Sequence, residues 1–227
     1  MRILIGTYFT VVKHSDYYYH FTTTACPNLL HFALFRENCD RVKVVTPKNK
    51  VREIGAHRGR TVHFRRIYIL IKVLFVCHGN ICRSPMAEFV FKDMVSKRGL
   101  ADQFYIASAA TSTEEIWNGI GNPVYPPARE ELARHGISCK GKRAVQLTKA
   151  DYDKYDYILG MDHWNLKNML RILKADPEGK VKLLLDYSDN PRDIADPWYT
   201  GGFDVTYSDV VEGCEAFLRY LQNIKKL

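Results

Sequence analysis

The chain has 227 residues, 46% of them hydrophobic, with 33 Lys+Arg against 25 Asp+Glu and a formal net charge of +8. That length holds one domain of about 150 residues plus an extension. No apolar run approaches the roughly 18–20 residues that span a bilayer, and six scattered cysteines do not form a disulfide framework.

Residues 1–70 carry the whole charge excess, 12 Lys+Arg against 4 Asp+Glu, whereas residues 71–227 carry 21 against 21. A neutral body with a basic appendage is not a distributed nucleic-acid-binding face, so nucleic acid is not an expected partner. The appendage shows no sustained helical stripe and only broken alternation. Its aromatic and threonine cluster Tyr17-Tyr18-Tyr19-His20-Phe21-Thr22 adjoins basic stretches such as Arg58-Gly59-Arg60. Five of the eight histidines lie there with Cys26 and Cys39, in no recognisable zinc spacing, so no metal is expected. Residues 1–70 read as a basic, poorly structured extension or as a start placed too far upstream. Met1-Arg2-Ile3-Leu4-Ile5 is too short for a signal peptide.

From Lys72 the pattern alternates strand and helix. Val73–Val76 is the first strand. A helix opened by Ser84-Pro85 follows, with Met86, Phe89, Val90 and Met94 on one face and Gly99 as its stop. Next come a strand over Phe104–Ala109 and a helix from Pro127 to His135 ended by Gly136. A strand over Tyr157–Met161 leads to Asp162, an N-cap for a helix carrying Trp164, Leu166, Leu170 and Leu173. A fourth strand, Val181–Leu185, and a final helix bearing Val210, Cys214, Phe217 and Leu221 complete the chain. Such alternation predicts an α/β fold, a three-layer sandwich with a four-stranded parallel sheet and helices on both faces. Ligands in such sheets bind at the carboxyl ends of strands. Cys77 is at one, and the loop holding Asp196 emerges at the same edge.

Cys77 is the only one of the six cysteines with an arginine six positions later. A strand feeding a tight loop into a helix N-terminus makes an anion site, because backbone N–H groups and the positive dipole end converge there. This loop begins with a thiol and ends with the Arg83 guanidinium, which suits attack on a phosphoryl group. Gly79 permits close approach and Asn80 tolerates a left-handed backbone. The dipole, the loop N–H groups and Arg83 all favour the Cys77 thiolate. Ser84 is placed to donate to the sulfur, and Asn80 to brace the loop. Arg83 can offer two phosphoryl oxygens paired hydrogen bonds that lysine cannot.

The run Cys77-His78-Gly79-Asn80-Ile81-Cys82-Arg83-Ser84-Pro85 resembles the phosphate-binding loop of the low-molecular-weight protein-tyrosine phosphatases. Asp196-Pro197-Trp198-Tyr199 resembles the family's downstream Asp-Pro followed by aromatics, and the likeness spans about Ile71 to Leu227. It implies a phosphatase domain over 71–227 that hydrolyses protein phosphotyrosine through a cysteinyl-phosphate. Cys77 would be the nucleophile, Arg83 the phosphate clamp and Asp196 the general acid and then base. Substrate-binding positions would be His78, Gly79, Asn80, Ile81, Cys82 and Ser84, with Trp198 and Tyr199 walling the cleft. Neither metal nor cofactor is implied. The implied partner is a phosphotyrosine protein, a tyrosine kinase among the possibilities, in the reducing cytoplasm. Cys82 either packs the loop or forms a protective disulfide with Cys77, as such neighbours do in the family.

Lys140-Gly141-Lys142-Arg143 stands where many members have a histidine, so no role carries over to that segment, and His135 reads as a capping or packing residue. Three alternatives remain. An arsenate reductase would need a close cysteine pair, which Cys139 and Cys214 are not. An arginine phosphatase favours threonine where this chain has Ile81. A non-catalytic nucleic-acid-binding adaptor would use residues 1–70. The resemblance also makes Leu70 a plausible initiator, since Ile71-Lys72-Val73-Leu74-Phe75-Val76-Cys77 resembles a usual family start.

Overall fold

The computed structural model describes residues 70–224 and Leu227, together with the backbone of five strands in residues 1–69. The chain divides into two units, Met1–Tyr68 and Ile69–Leu227. In the first, β1 (Tyr8–His14), β2 (Tyr17–Thr23) and β3 (His31–Ala33) form an antiparallel sheet in that order, and β4 (Arg41–Val45) pairs antiparallel with β5 (Val51–Gly55). The side chains of this unit, and with them its reading as poorly structured, lie outside the described residues.

The second unit runs β6 (Ile71–Cys77), α1 (Arg83–Lys97), β7 (Phe104–Ala110), a small hairpin of β8 (Ile116–Trp117) and β9 (Ile120–Gly121), then α2 (Pro126–Arg134) and α3 (Asp151–Lys154). β10 (Tyr157–Gly160), α4 (His163–Leu173), β11 (Val181–Leu183), α5 (Pro197–Thr200) and α6 (Phe203–Asn223) follow. Four strands form one parallel sheet in the order β11-β10-β6-β7. The first of them, β6, is therefore central, flanked by its successor on one side and by β10 on the other. Chain order reverses at this point, and the loop leaving β6 opens into the crevice where such sheets bind ligands.

β6 is a nearly unbroken apolar run because both faces of the sheet are covered. Val73, Phe75 and Cys77 pack on one side with Phe91 of α1, Leu132 of α2 and Phe217 of α6. Leu74 and Val76 pack on the other with Met169 and Leu173 of α4 and Tyr152 of α3. Each such side chain withdrawn from water contributes roughly 1.5–3 kcal/mol. Helix α6 sits close to the turn after β11: a Cβ added at Gly213 would lie 2.6 Å from Leu184 Cγ. Any larger residue there would force Leu184 or the helix to shift.

The expected fold class is the observed one, with differences at the ends of elements. The strand expected over Val181–Leu185 stops at Leu183, where a 3₁₀ turn over Leu184–Tyr187 begins, and Asp186 accepts from the Leu183 N–H at 2.9 Å. That local bond offers the backbone an alternative to the sheet ladder. The hairpin β8–β9 and the short helices α3 and α5 are additions to the expected elements. His135 packs as expected: its ring lies 3.7 Å from Tyr207 at an interplanar angle of 6°, and its Nε2 is 3.1 Å from Glu131.

Candidate active site

The loop from Cys77 to Arg83 is short because β6 ends and α1 begins within five residues. Pro85 is tolerated in the first turn of α1, where its missing N–H has no intrahelical partner to lose. Asn80 has φ 57°, the left-handed turn that lets the loop double back toward the sulfur. Its own N–H points at Cys77 Sγ from 3.3 Å, and Ser84 Oγ lies 3.0 Å from the same sulfur. Cys77 thus sits among donors at the N-terminus of a 15-residue helix, where the dipole favours an anion.

Asn80 is fully buried and spends its side chain on bracing. Its Nδ2 donates to Ser84 Oγ and Ser108 Oγ, each at 2.8 Å, and its Oδ1 accepts from the Val145 N–H at 3.0 Å. Ser108 Oγ in turn donates to Glu88 at 2.5 Å. Glu88 is buried on α1, and both Lys92, at 2.5 Å, and Lys142, at 3.0 Å, neutralise it. Burial pushes its carboxyl up, but Lys142, Lys92 and Ser108 together hold it below the usual carboxylate range. The segment around Lys142, to which the sequence assigned no role, therefore closes a buried polar network behind the loop. Sequence reading also missed Glu88 and Ser108.

Arg83 is 2% exposed. Its Nη1 donates to Asp162 at 2.5 Å and to the Ile194 carbonyl at 3.1 Å, and its Nη2 donates to Asp196. Burial opposes its charge, yet Cys77, Asp196 and Asp162 around it keep the guanidinium pKa above its ordinary value. Sequence reading missed Asp162 in this role too. It does cap α4, its Oδ1 accepting from the Asn165 N–H at 2.6 Å, while its other oxygen holds the arginine. Asp196 also has two duties: Oδ1 accepts from the Trp198 N–H at 3.1 Å to cap α5, and Oδ2 faces Arg83. The Asp-Pro turn and the site carboxylate are one residue.

The other expected positions are distributed around this pair. Ile81 and Cys82 are buried in the loop, and burial with the neighbouring Cys77 and Asp196 charges pushes the Cys82 thiol up to about 12, so it stays protonated at neutral pH. Gly79 has a close neighbour: a Cβ there would lie 3.0 Å from Glu115 Cγ, so a larger residue would have to displace that side chain. His78 faces outward, its Nε2 2.9 Å from Glu114. Trp198 and Tyr199 are 56% and 85% exposed. Trp198 rests against Tyr125 at 5.0 Å, and the Tyr125 N–H bonds the Ile81 carbonyl at 2.9 Å. Tyr125, unremarked in the sequence, joins Trp198 to the loop.

Among the described residues, the four cysteines 77, 82, 139 and 214 are free thiols and no helix is long and apolar enough to cross a membrane.

The family profile of the low molecular weight phosphotyrosine protein phosphatases matches residues 72–227. A low molecular weight protein-tyrosine-phosphatase of Bacillus subtilis, YfkJ, is 40% identical over 160 residues, 70% of this chain and 100% of the relative. Its crystal structure superposes with a TM-score of 0.63 at 39% identity, covering 68% of this chain and 96% of that one. A mouse low molecular weight phosphotyrosine protein phosphatase is 41% identical over 151 residues, 64% of this chain and 92% of the relative. A Drosophila arginine phosphatase structure matches with a TM-score of 0.60 at 32% identity, covering 67% of this chain and 98% of that one. A thiol and a buried arginine at the switch point of a parallel sheet, on a chain so matched over residues 72–227, place the protein in the low molecular weight phosphotyrosine protein phosphatase family.

Proposed function

We propose that the protein hydrolyses phosphotyrosine in proteins, and small aryl phosphates, through a phosphocysteine formed on Cys77. The observation that carries this reading is that Asn80 N–H and Ser84 Oγ both hydrogen-bond one sulfur, at a helix N-terminus beside Arg83. A thiolate so held attacks phosphorus, and the P–O bond to the phenol breaks as the P–S bond forms. Arg83 has five N–H donors. The two on Nη1 are spent on Asp162 and Ile194, so Nε–H and an Nη2–H form the parallel pair available to two phosphoryl oxygens. Asp162 thereby acts as a positioning residue that aims the clamp.

Asp196 gives its proton to the leaving phenolate and then takes one from the water that cleaves the phosphocysteine. Its Oδ2 accepts from Arg83 Nη2 beside the Cys77 loop, and capping of α5 through Oδ1 holds the carboxylate there. His78, Gly79, Ile81 and Cys82 contribute the loop backbone, Asn80 and Ser84 its bracing, and Trp198 and Tyr199 the aromatic wall that stacks on a substrate ring. The cytoplasm suits an enzyme whose four described cysteines are free thiols, two of them in the site loop. Residues 71–227 carry the whole activity on this reading, because every group named lies within them, and nucleic acid is no part of it.

Phosphoarginine is the second substrate class, favoured by the Drosophila arginine phosphatase among the structural relatives. A metal-free assay with p-nitrophenyl phosphate, phosphotyrosine peptide and phosphoarginine separates the two. Turnover of the first two that is lost in Cys77→Ser is expected. Full activity in that variant, or turnover of phosphoarginine alone, would overturn the reading.

A further inference from the structure

The mouth of the site is more acidic than the chemistry inside it requires. Residues 111–128 hold Glu114 and Glu115 and no lysine or arginine, and residues 186–204 hold five aspartates against Arg192 alone. Both segments border the loop: the Thr111 and Ser112 N–H groups bond the Cys77 and His78 carbonyls at 2.9 Å, and Ile194 and Asp196 hold Arg83. Arg192 is already occupied, its guanidinium 2.5 Å from Asp209 and 2.7 Å from Glu212. Two histidines at the mouth are engaged in the same way, His78 with Glu114 at 2.9 Å and His163 with Asp193 at 2.6 Å. The Glu114 and Asp193 side chains are nonetheless 72% and 45% exposed. Glu115 lies against Gly79 and accepts from Asn122 at 2.7 Å.

Carboxylates at the mouth repel an approaching phosphate dianion and so weaken binding of any substrate that brings only a phosphate. They are compensated when the substrate also brings cations that reach the rim while its phosphate is on Arg83. Lysine and arginine have the length for this, and their stems can lie on the exposed ring of Trp198, two residues beyond Asp196. We propose that Glu114, Glu115 and Asp193 form a selectivity rim, and that the substrates of this enzyme are phosphotyrosines flanked by lysine or arginine. The inference rests on the phosphotyrosine reading of the site.

The test compares kcat/KM for two synthetic phosphotyrosine peptides that differ only in flanking residues, lysine in one and glutamate in the other. p-Nitrophenyl phosphate, which has no flanks, is assayed alongside. With each exposed carboxylate contributing about two- to fourfold, the lysine peptide should be preferred by about tenfold at low salt. The preference should collapse between about 0.02 M and about 0.5 M salt as screening sets in. Glu114→Gln combined with Asp193→Asn should bring the ratio close to one. Equal turnover of the two peptides, or a preference for glutamate, would overturn the inference while p-nitrophenyl phosphate activity leaves the phosphatase reading standing. A preference unchanged by both salt and the double variant would overturn the rim as its cause. Should the variant melt early, the salt dependence of the unaltered enzyme decides alone.

Discussion

Lys142→Ala removes the cation that faces Glu88 from across the network, without touching any group that would meet substrate. Glu88 is 4% exposed and Lys142 lies 3.0 Å away, with an 11% exposed side chain. Removing one partner of a buried pair costs about 3–5 kcal/mol when the survivor is left uncompensated. Here the survivor keeps Lys92 at 2.5 Å and Ser108 at 2.5 Å, so the expected loss is about 2–3 kcal/mol, or a melting temperature lower by about 5–10 °C for a unit of this size. The pH dependence carries the sign. Glu88 is held below its ordinary value in the fold, so its contribution is complete above the unfolded carboxylate range near 4.3 and is lost as pH falls through the lower folded value. The difference between the two proteins should therefore be full at pH 7 and shrink in acid. Urea unfolding of both chains across pH 3–7 measures it. A loss under about 0.5 kcal/mol, or one that grows in acid, would refute the buried-pair account. Because Ser108 shares Asn80 with the loop, turnover should fall as well, and Lys142→Arg should recover more of it than Lys142→Met.

Three further outcomes follow from the same geometry. Asp196→Asn should slow aryl phosphates with poor leaving groups by about 10²–10⁴-fold and those with good ones far less, and an equal loss across a leaving-group series would make its capping of α5 its only role. Mild peroxide should inactivate the enzyme reversibly: the Cys77 sulfenic acid condenses with the protonated Cys82 thiol, releasing water, and a thiol reductant restores activity. Cys82→Ser should lose that recovery, measured as activity regained after reductant. Deleting residues 1–69 should leave kcat/KM for p-nitrophenyl phosphate within about twofold, since every side chain named at the site lies beyond them. A large loss on truncation would assign the basic segment a part in the enzyme.

The loop from Cys77 to Ser84 was legible in the sequence because nearly everything that shapes it is local. Sulfur, Asn80 N–H and Ser84 hydroxyl fall within seven residues, and a strand-to-helix junction leaves them few ways to meet. The parallel sheet with helices on both faces followed from alternation for a similar reason, since β6 reads as apolar on both faces only if helices cover both; the order of its strands did not. Asp162 and Glu88 escaped because each already had a sufficient local explanation. An aspartate opening a helix is a cap, and Asp162 is one. What the sequence does not display is that a cap uses one carboxylate oxygen and leaves the other free to hold Arg83, 79 positions away. The clue was positional: Asp162 follows β10, the neighbour of β6 at the reversal of strand order, so its free oxygen opens on the same crevice. Glu88 sits beside the apolar stripe of α1, where a charge normally means solvent. It is buried instead because Asn80, fully enclosed by the loop, needs polar partners behind it, and Ser108, Glu88 and Lys142 are the chain that connects that need back to a cation. A buried polar residue in a functional loop thus requires a further buried polar residue, and so on until a group reaches charge balance or water. Following that requirement outward from Asn80 leads to residues that neither periodicity nor motif spacing marks.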